Sequence, residues 1–173
     1  MKAIDHKQDN PKIGIIMGSD SDLETMRETS KILDKFDISY EMRIISAHRS
    51  PQLAAEYSST ASSRGLKVII AGAGLAAHLA GALAAHTILP VIGIPLNASS
   101  LGGYESLLST VMMPAGIPVA TVAIGKAGAT NAGILAVQIL ALSDDSISNK
   151  LVNYKKSLFE KVIEKDKKVQ TPS

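Results

Sequence analysis

Ile13-Gly14-Ile15-Ile16-Met17 is an apolar run of strand length, and Gly18-Ser19-Asp20-Ser21-Asp22 follows it directly. Five residues without polar alternation suit a strand covered on both faces. The Gly/Ser/Asp cluster reads as a loop that opens a helix, and Leu23, Met26, Leu33 and Phe36 mark that helix behind it. The unit then repeats along the chain. Tyr40, Met42 and Ile44 alternate with Glu41 and Arg43, which suits a strand nearer the sheet edge, and 51–64 reads as a helix with Pro51 in its first turn. Residues 68–71, 91–94 and 119–124 are further unalternating apolar runs, again as strands covered on both faces should be. Helices are expected over 76–85, 104–112 and 131–142. Five strands alternating with helices predict a three-layer α/β/α sandwich around a doubly wound, mainly parallel sheet of Rossmann-like type. Ligands gather at the carboxyl ends of such strands, so the loops after each strand are the ones to inspect.

Beyond the sheet, Ile147, Leu151, Tyr154, Leu158 and Val162 form an apolar stripe on a Lys- and Glu-rich segment. A helix over about 144–166 is expected there, with one face that needs cover. The chain has 173 residues and no linker or internal repeat, so one domain is expected, with its core at about 12–142 and frayed ends at 1–10 and 167–173. Hydrophobic residues at 46% and charged residues at 20% exclude disorder as the main theme. A net charge of +2 with four Tyr, two Phe and no Trp is too little for a nucleic-acid surface. With no cysteine, disulfides, thiol catalysis and Cys-based metal sites are excluded. The polar first twelve residues lack the apolar core of a signal peptide, so a cytoplasmic location is expected.

Charge is unevenly placed. Between Val68 and Ser143 the only charged side chains are Glu105 and Lys126. Pro90, Pro95, Pro114 and Pro118, with His78 and His86, interrupt this stretch before any apolar run reaches membrane-spanning length. A small monomer cannot hide so many uncharged residues, so part of the stretch is expected to form a subunit interface of a homo-oligomer.

Three loops carry candidate chemistry. In Gly18-Ser19-Asp20-Ser21-Asp22, Ser and Asp can cap the helix. Alternatively, backbone N–H groups and hydroxyls can hold a phosphate while a carboxylate takes ribose hydroxyls. Ser46-Ala47-His48-Arg49-Ser50-Pro51 is either a polar turn into a helix or a site in which Arg49 and Ser46 meet phosphate oxygens beside the titratable His48. Gly72-Ala73-Gly74-Leu75-Ala76-Ala77-His78 imitates the dinucleotide pattern G-x-G-x-x-A. It lacks the acid about 20 residues later, since no Asp or Glu occurs between Tyr57 and Tyr104. It reads instead as either an uncharged pocket wall or tight packing of helix on strand. His86 reads as a core or interface residue, and His78, nearer the loop, as a site candidate. No His or carboxylate cluster has metal-ligand spacing, and no P-loop pattern is present. Lys126 with Asp20 and Asp22 resembles a receiver domain in part, but Ala71 and Gly72 stand where a phosphoacceptor Asp would be needed.

These three segments, with Met113-Pro114-Ala115-Gly116-Ile117-Pro118-Val119 and Ala123-Ile124-Gly125-Lys126-Ala127-Gly128-Ala129, resemble the N5-carboxyaminoimidazole ribonucleotide mutase family. This is the bacterial-type, class I catalytic subunit of phosphoribosylaminoimidazole carboxylase, in de novo purine (IMP) synthesis. The resemblance runs from about Lys12 to Leu142. It implies an isomerase without cofactor or metal, acting on a small ribonucleotide, assembled as a homo-octamer, with no nucleic-acid or membrane partner. It also implies that Ser19 and Asp22 hold the ribose, that Ser21, Ser46 and Arg49 hold the phosphate, and that His48 carries the proton. Gly74 and His78 would line the pocket for the travelling carboxylate. Leu75 and Ala80 depart from the family pattern, which often has Gly or Ala at the first and Pro at the second. A branched side chain at 75 either narrows the pocket or packs against the sheet. The alternatives are an aminoimidazole ribonucleotide carboxylase using free carbon dioxide, whose relatives tend to carry Lys-Gly in place of Arg49-Ser50, and a catalytically idle nucleotide-binding module.

Overall fold

The computed structural model describes residues 10–170. Its core is a parallel sheet of β1 (Ile13–Met17), β2 (Tyr40–Ile44), β3 (Val68–Gly74), β4 (Val91–Leu96) and β5 (Ala120–Thr121) in the order β2-β1-β3-β4-β5. That is the doubly wound order in which the chain reverses direction across the sheet between β1 and β3. The alternating strand lies at the edge, as expected, and the three apolar strands β1, β3 and β4 are central and buried on both faces. The last strand differs from expectation: β5 is a two-residue stub at the opposite edge, partly exposed, bounded by Pro118, which cannot donate to a ladder, and by Val122, whose N–H donates to the Gly93 carbonyl of β4.

One face carries α1 (Leu23–Lys35) and α5 (Gly125–Ala141), with α6 (Asp145–Gln170) beyond them. The other carries α2 (Pro51–Ala61), α3 (Leu79–Ala84) and α4 (Tyr104–Val111). Alternate strand residues divide between these layers. Ile13, Ile15 and Met17 join the first core with Met26, Leu33 and Val137, whereas Ile16 joins Tyr57, Leu66 and Leu83 in the second. Small residues let the helices come close. A Cβ at Gly14 would overlap the Tyr57 hydroxyl, and one at Gly133 would lie 2.9 Å from Ile32 Cβ. Between α1 and α5 the buried Thr29 hydroxyl donates to the Ala129 carbonyl at 2.8 Å.

Helix boundaries shift by three residues or more in four places, the first being α2, which ends at Ala61 rather than residue 64. The third helix begins at Leu79 rather than residue 76, because the chain turns at Leu75 and the His78 N–H then bonds back to the Ala76 carbonyl at 2.8 Å, a tight turn instead of a helical one. The fifth begins at Gly125, six residues before the expected start, since its Gly- and Ala-rich first turns carry no hydrophobic periodicity to announce them. The sixth runs to Gln170, four residues beyond the expected end, and carries Glu164–Lys168 at i,i+4 there. Residues 1–9 and 171–173, where fraying was expected, lie outside the described residues. The α6 stripe is covered only in its first half. Ile147, Leu151 and Tyr154 pack on the first core, Tyr154 edge-on to Phe36 at 5.5 Å, but Leu158 and Val162 remain exposed. Among the described residues, no helix is long and apolar enough to cross a membrane.

The tightest of these approaches gives a stability test. A Cβ at Gly128 would overlap the Ala123 carbonyl oxygen, which is backbone and cannot rotate away. Gly128→Ala is expected to lower stability by about 3 kcal/mol, or roughly 6–12 °C in thermal midpoint for a chain of this size, in a calorimetric or dichroism melt.

Candidate active site

Parallel pairing sets the site. Met17 is in register with Ile44 on one side and Gly72 on the other, so β1 and β2 end level and β3 runs two residues further, with all three loops leaving from the same end of the sheet. They enclose a cleft of 490 Å³, within the range of about 300–1,000 Å³ usual for small-molecule sites. Of the residues singled out from sequence, Ser19, Ser21, Asp22, Ser46, His48, Arg49 and Gly74 line it. His78 stands behind His48, its Nδ1 2.8 Å from His48 Nε2 and the rings edge-to-face. Lys126 lies elsewhere, in an exposed ion pair with Glu24 at 2.6 Å, and His86 is exposed on this chain, which removes the core reading of it.

The first loop shows that capping and ligand binding use the same atoms. Ser19 caps a single 3₁₀ turn, Asp20–Asp22, and Asp22 Oδ2 accepts from Ser19 N–H at 3.1 Å. That reciprocal pair holds both side chains still at the cleft wall. Burial pushes the Asp22 carboxyl above its ordinary range, opposed by the N–H groups of Ser19 and Gly18 and reinforced by the charge of Asp20. A partly desolvated carboxylate is a strong acceptor for hydroxyl donors.

The second loop is braced on itself. Ser50 Oγ donates to the Ser46 carbonyl at 2.9 Å, and Arg49 N–H donates to Ser46 Oγ at 3.2 Å. Arg49 Nη2 also reaches across to the Gly18 carbonyl at 3.2 Å, tying the second loop to the first. A more open depression shares Gly18, Ser19, Ser46 and Arg49 with the cleft and adds Asp20 and Ser50, so the guanidinium borders both the cleft and this outer compartment. An anion in the outer compartment would meet a fixed cation and several hydroxyls.

The two imidazoles constrain each other. A contact of this kind needs one nitrogen protonated and the other bare, so one ring donates to the other. Such a pair has the donor and the acceptor that acid–base work on a neighbouring ligand requires.

The third loop supplies the small wall. Both readings of it hold: a Cβ at Gly72 would overlap Met26 Sδ, and Ala73, Gly74 and Ala76 line the cleft. Sequence reasoning missed Ala98, which enters from the loop after β4. The rule that ligands gather at strand carboxyl ends points to that loop, but its residues carry no ionisable group to draw attention. A larger cleft of 630 Å³ lies at the other end of the sheet, around Lys12, Ser39 and Lys67. Its Lys150 is already held by Asp37 and the Phe36 carbonyl.

Comparison with known proteins gives consistent matches. The model of a family described as AIR carboxylase matches residues 12–161. A Bacillus subtilis protein named N5-carboxyaminoimidazole ribonucleotide mutase is 54% identical over 154 residues, 89% of this chain and 95% of its own length. Relatives of the same name from Pyrococcus horikoshii and Vibrio parahaemolyticus are 53% and 56% identical, covering 96% and 88% of this chain and 93% and 94% of theirs. Among solved structures, Treponema denticola PurE superimposes with a TM-score of 0.83 at 29% identity, covering 93% of this chain and 99% of that one.

The bracing of Arg49 makes its contribution measurable. Arg49→Ala is expected to weaken binding of a phosphate monoester by roughly 10- to 100-fold, the loss of one or two charge-assisted hydrogen bonds, with the fold intact by dichroism; titration calorimetry reads it.

Proposed function

This chain belongs to the AIR carboxylase family, and we propose on that footing that its cleft interconverts two carboxylated aminoimidazole ribonucleotides. The protein is an isomerase of purine biosynthesis. It converts N5-carboxyaminoimidazole ribonucleotide to 4-carboxy-5-aminoimidazole ribonucleotide. The observation that carries the reading of the site is the His48–His78 contact at 2.8 Å, beside a wall of small uncharged residues and next to the anchored Arg49.

The phosphate sits on Arg49, Ser46 and Ser21, and the ribose hydroxyls meet Ser19 and Asp22. That anchors the aminoimidazole over Gly74 and against His48. The bond from the exocyclic nitrogen to the carboxyl carbon breaks, the nitrogen takes a proton from the His48 imidazolium, and carbon dioxide is released into the small pocket. Ring carbon four then attacks that carbon dioxide. Its hydrogen leaves as a proton to the now neutral His48, so the imidazolium is regenerated and no net proton is consumed. His78 Nδ1 holds the His48 ring and fixes which of its nitrogens is protonated. Keeping both fragments in one cleft replaces a second-order encounter with an intramolecular one, worth up to roughly 10⁵–10⁸ M in effective concentration. Arg49-Ser50, rather than Lys-Gly, supports the mutase over the carboxylase that uses free carbon dioxide.

The working form is a cytoplasmic homo-oligomer, an octamer by family resemblance. Support comes from the charge-poor stretch, which in the single chain leaves Ile88 93%, Leu142 87% and Met112 74% exposed. Sedimentation at micromolar concentration should show an assembly and no folded monomer, with dissociation accompanying unfolding. A soluble folded monomer sinks this part of the reading.

His48→Asn is expected to lower turnover by about 10²- to 10⁴-fold while leaving ribonucleotide affinity within a few-fold, the reverse of the Arg49 pattern. Near-normal turnover in that variant removes His48 as the proton carrier.

A further inference from the structure

We propose that Leu75 is the apolar cover of the carbon dioxide pocket, a role that rests on the enclosed transfer described above. The last rung between β3 and β4 pairs Gly74 with Leu96. A Cβ at Gly74 would meet Ala98 at 2.5 Å, so the strand end here presses against the loop after β4. It turns at once, and the turn brings His78 back to His48. Leu75 makes that turn with φ 55°, the left-handed region that glycine enters freely and leucine enters at a cost.

Packing does not offset the cost. Leu75 belongs to neither core cluster and is 55% exposed, whereas Leu79, the other large apolar side chain of the cleft wall, is buried. Leu75 lines the cleft instead, so its side chain borders the pocket rather than the sheet. Around Leu75 the wall is made of Ala73, Gly74, Ala76 and Ala98, which leave space without filling it. An isobutyl group held at the mouth of such a space displaces water and supplies dispersion contacts to a small, linear, apolar molecule. It does so without a polar group that would compete for the ring. Glycine at this position would make the turn more cheaply and leave the mouth open. Leu75 is therefore a retention residue: it sets the fraction of carbon dioxide recaptured by ring carbon four against the fraction that escapes.

The test uses substrate labelled in its carboxylate, turned over once by the full-length enzyme in excess unlabelled bicarbonate. Wild type should deliver the label to product. Leu75→Gly should release label to solvent roughly tenfold more, the effect of removing apolar cover, with ribonucleotide affinity unchanged and a thermal midpoint equal to or above wild type. Leu75→Ala, which keeps the backbone preference and loses the bulk, should leak similarly, and Leu75→Met should retain label. Retention in the Gly and Ala variants at the wild-type level overturns the role of Leu75 while leaving the enclosed transfer standing. A fall in midpoint for Leu75→Gly overturns it as well, by showing that the side chain is a packing residue. Complete dilution of label already in wild type overturns both, because there is then no enclosed carbon dioxide to cover.

Discussion

The register of three parallel strands is the constraint on which the site depends. Because Met17 pairs level with both Ile44 and Gly72, three loops leave the same end of the sheet, and their side chains meet although they are distant in sequence. Parallel ladders permit this only when each strand is followed by a crossover on one face or the other. The helices therefore come before the chemistry in the logic of the fold. Shifting β2 by one residue would turn Ile45 away from the second core, where it is buried, and carry Ser46, His48 and Arg49 out of reach of Gly18 and His78.

Both faces of the sheet must be covered at close range for that register to hold, and the chain meets the requirement with small residues. Gly14 admits Tyr57 from one side, Gly72 admits Met26 from the other, and Gly93 lies under Thr110 and Ala80. On the far side of α5, Gly128, Ala129, Ala132 and Gly133 bring the helix backbone near enough for the buried Thr29 hydroxyl to bond to it. The same abundance of Ala and Gly that makes the stretch look featureless in sequence is what allows the layers to approach.

The cleft divides its polar and apolar work by loop. The loops after β1 and β2 bring hydroxyls, a partly desolvated carboxylate, a guanidinium and an imidazole, each braced by neighbours before any ligand arrives. The loop after β3 brings small uncharged residues, and one imidazole that it aims at the other loop. A substrate with a charged phosphate at one end and a flat heterocycle at the other matches that division. Preorganisation of this kind keeps the reaction from spending its barrier on reorienting the site.

Sequence alone determined the strand–helix alternation, the edge position of Tyr40–Ile44, and the three loops that carry chemistry, because hydrophobic periodicity and polar clusters are local properties. It also marked Ser19, Ser21, Asp22, Ser46, His48, Arg49, Gly74 and His78, through the resemblance of their three loops to one family, because residue type alone left capping, turn and packing readings open. It could not find the early start of α5, where Gly and Ala carry no period, nor the brevity of β5, which depends on what lies beyond the sheet edge. Ala98 was illegible for a related reason: an alanine acquires a role only from what it stands beside. The meeting of His48 with His78, the turn made by Leu75, and the exposure of His86 were decided by tertiary structure, because each depends on strand register and on the distance between layers, quantities that no run of neighbouring residues contains.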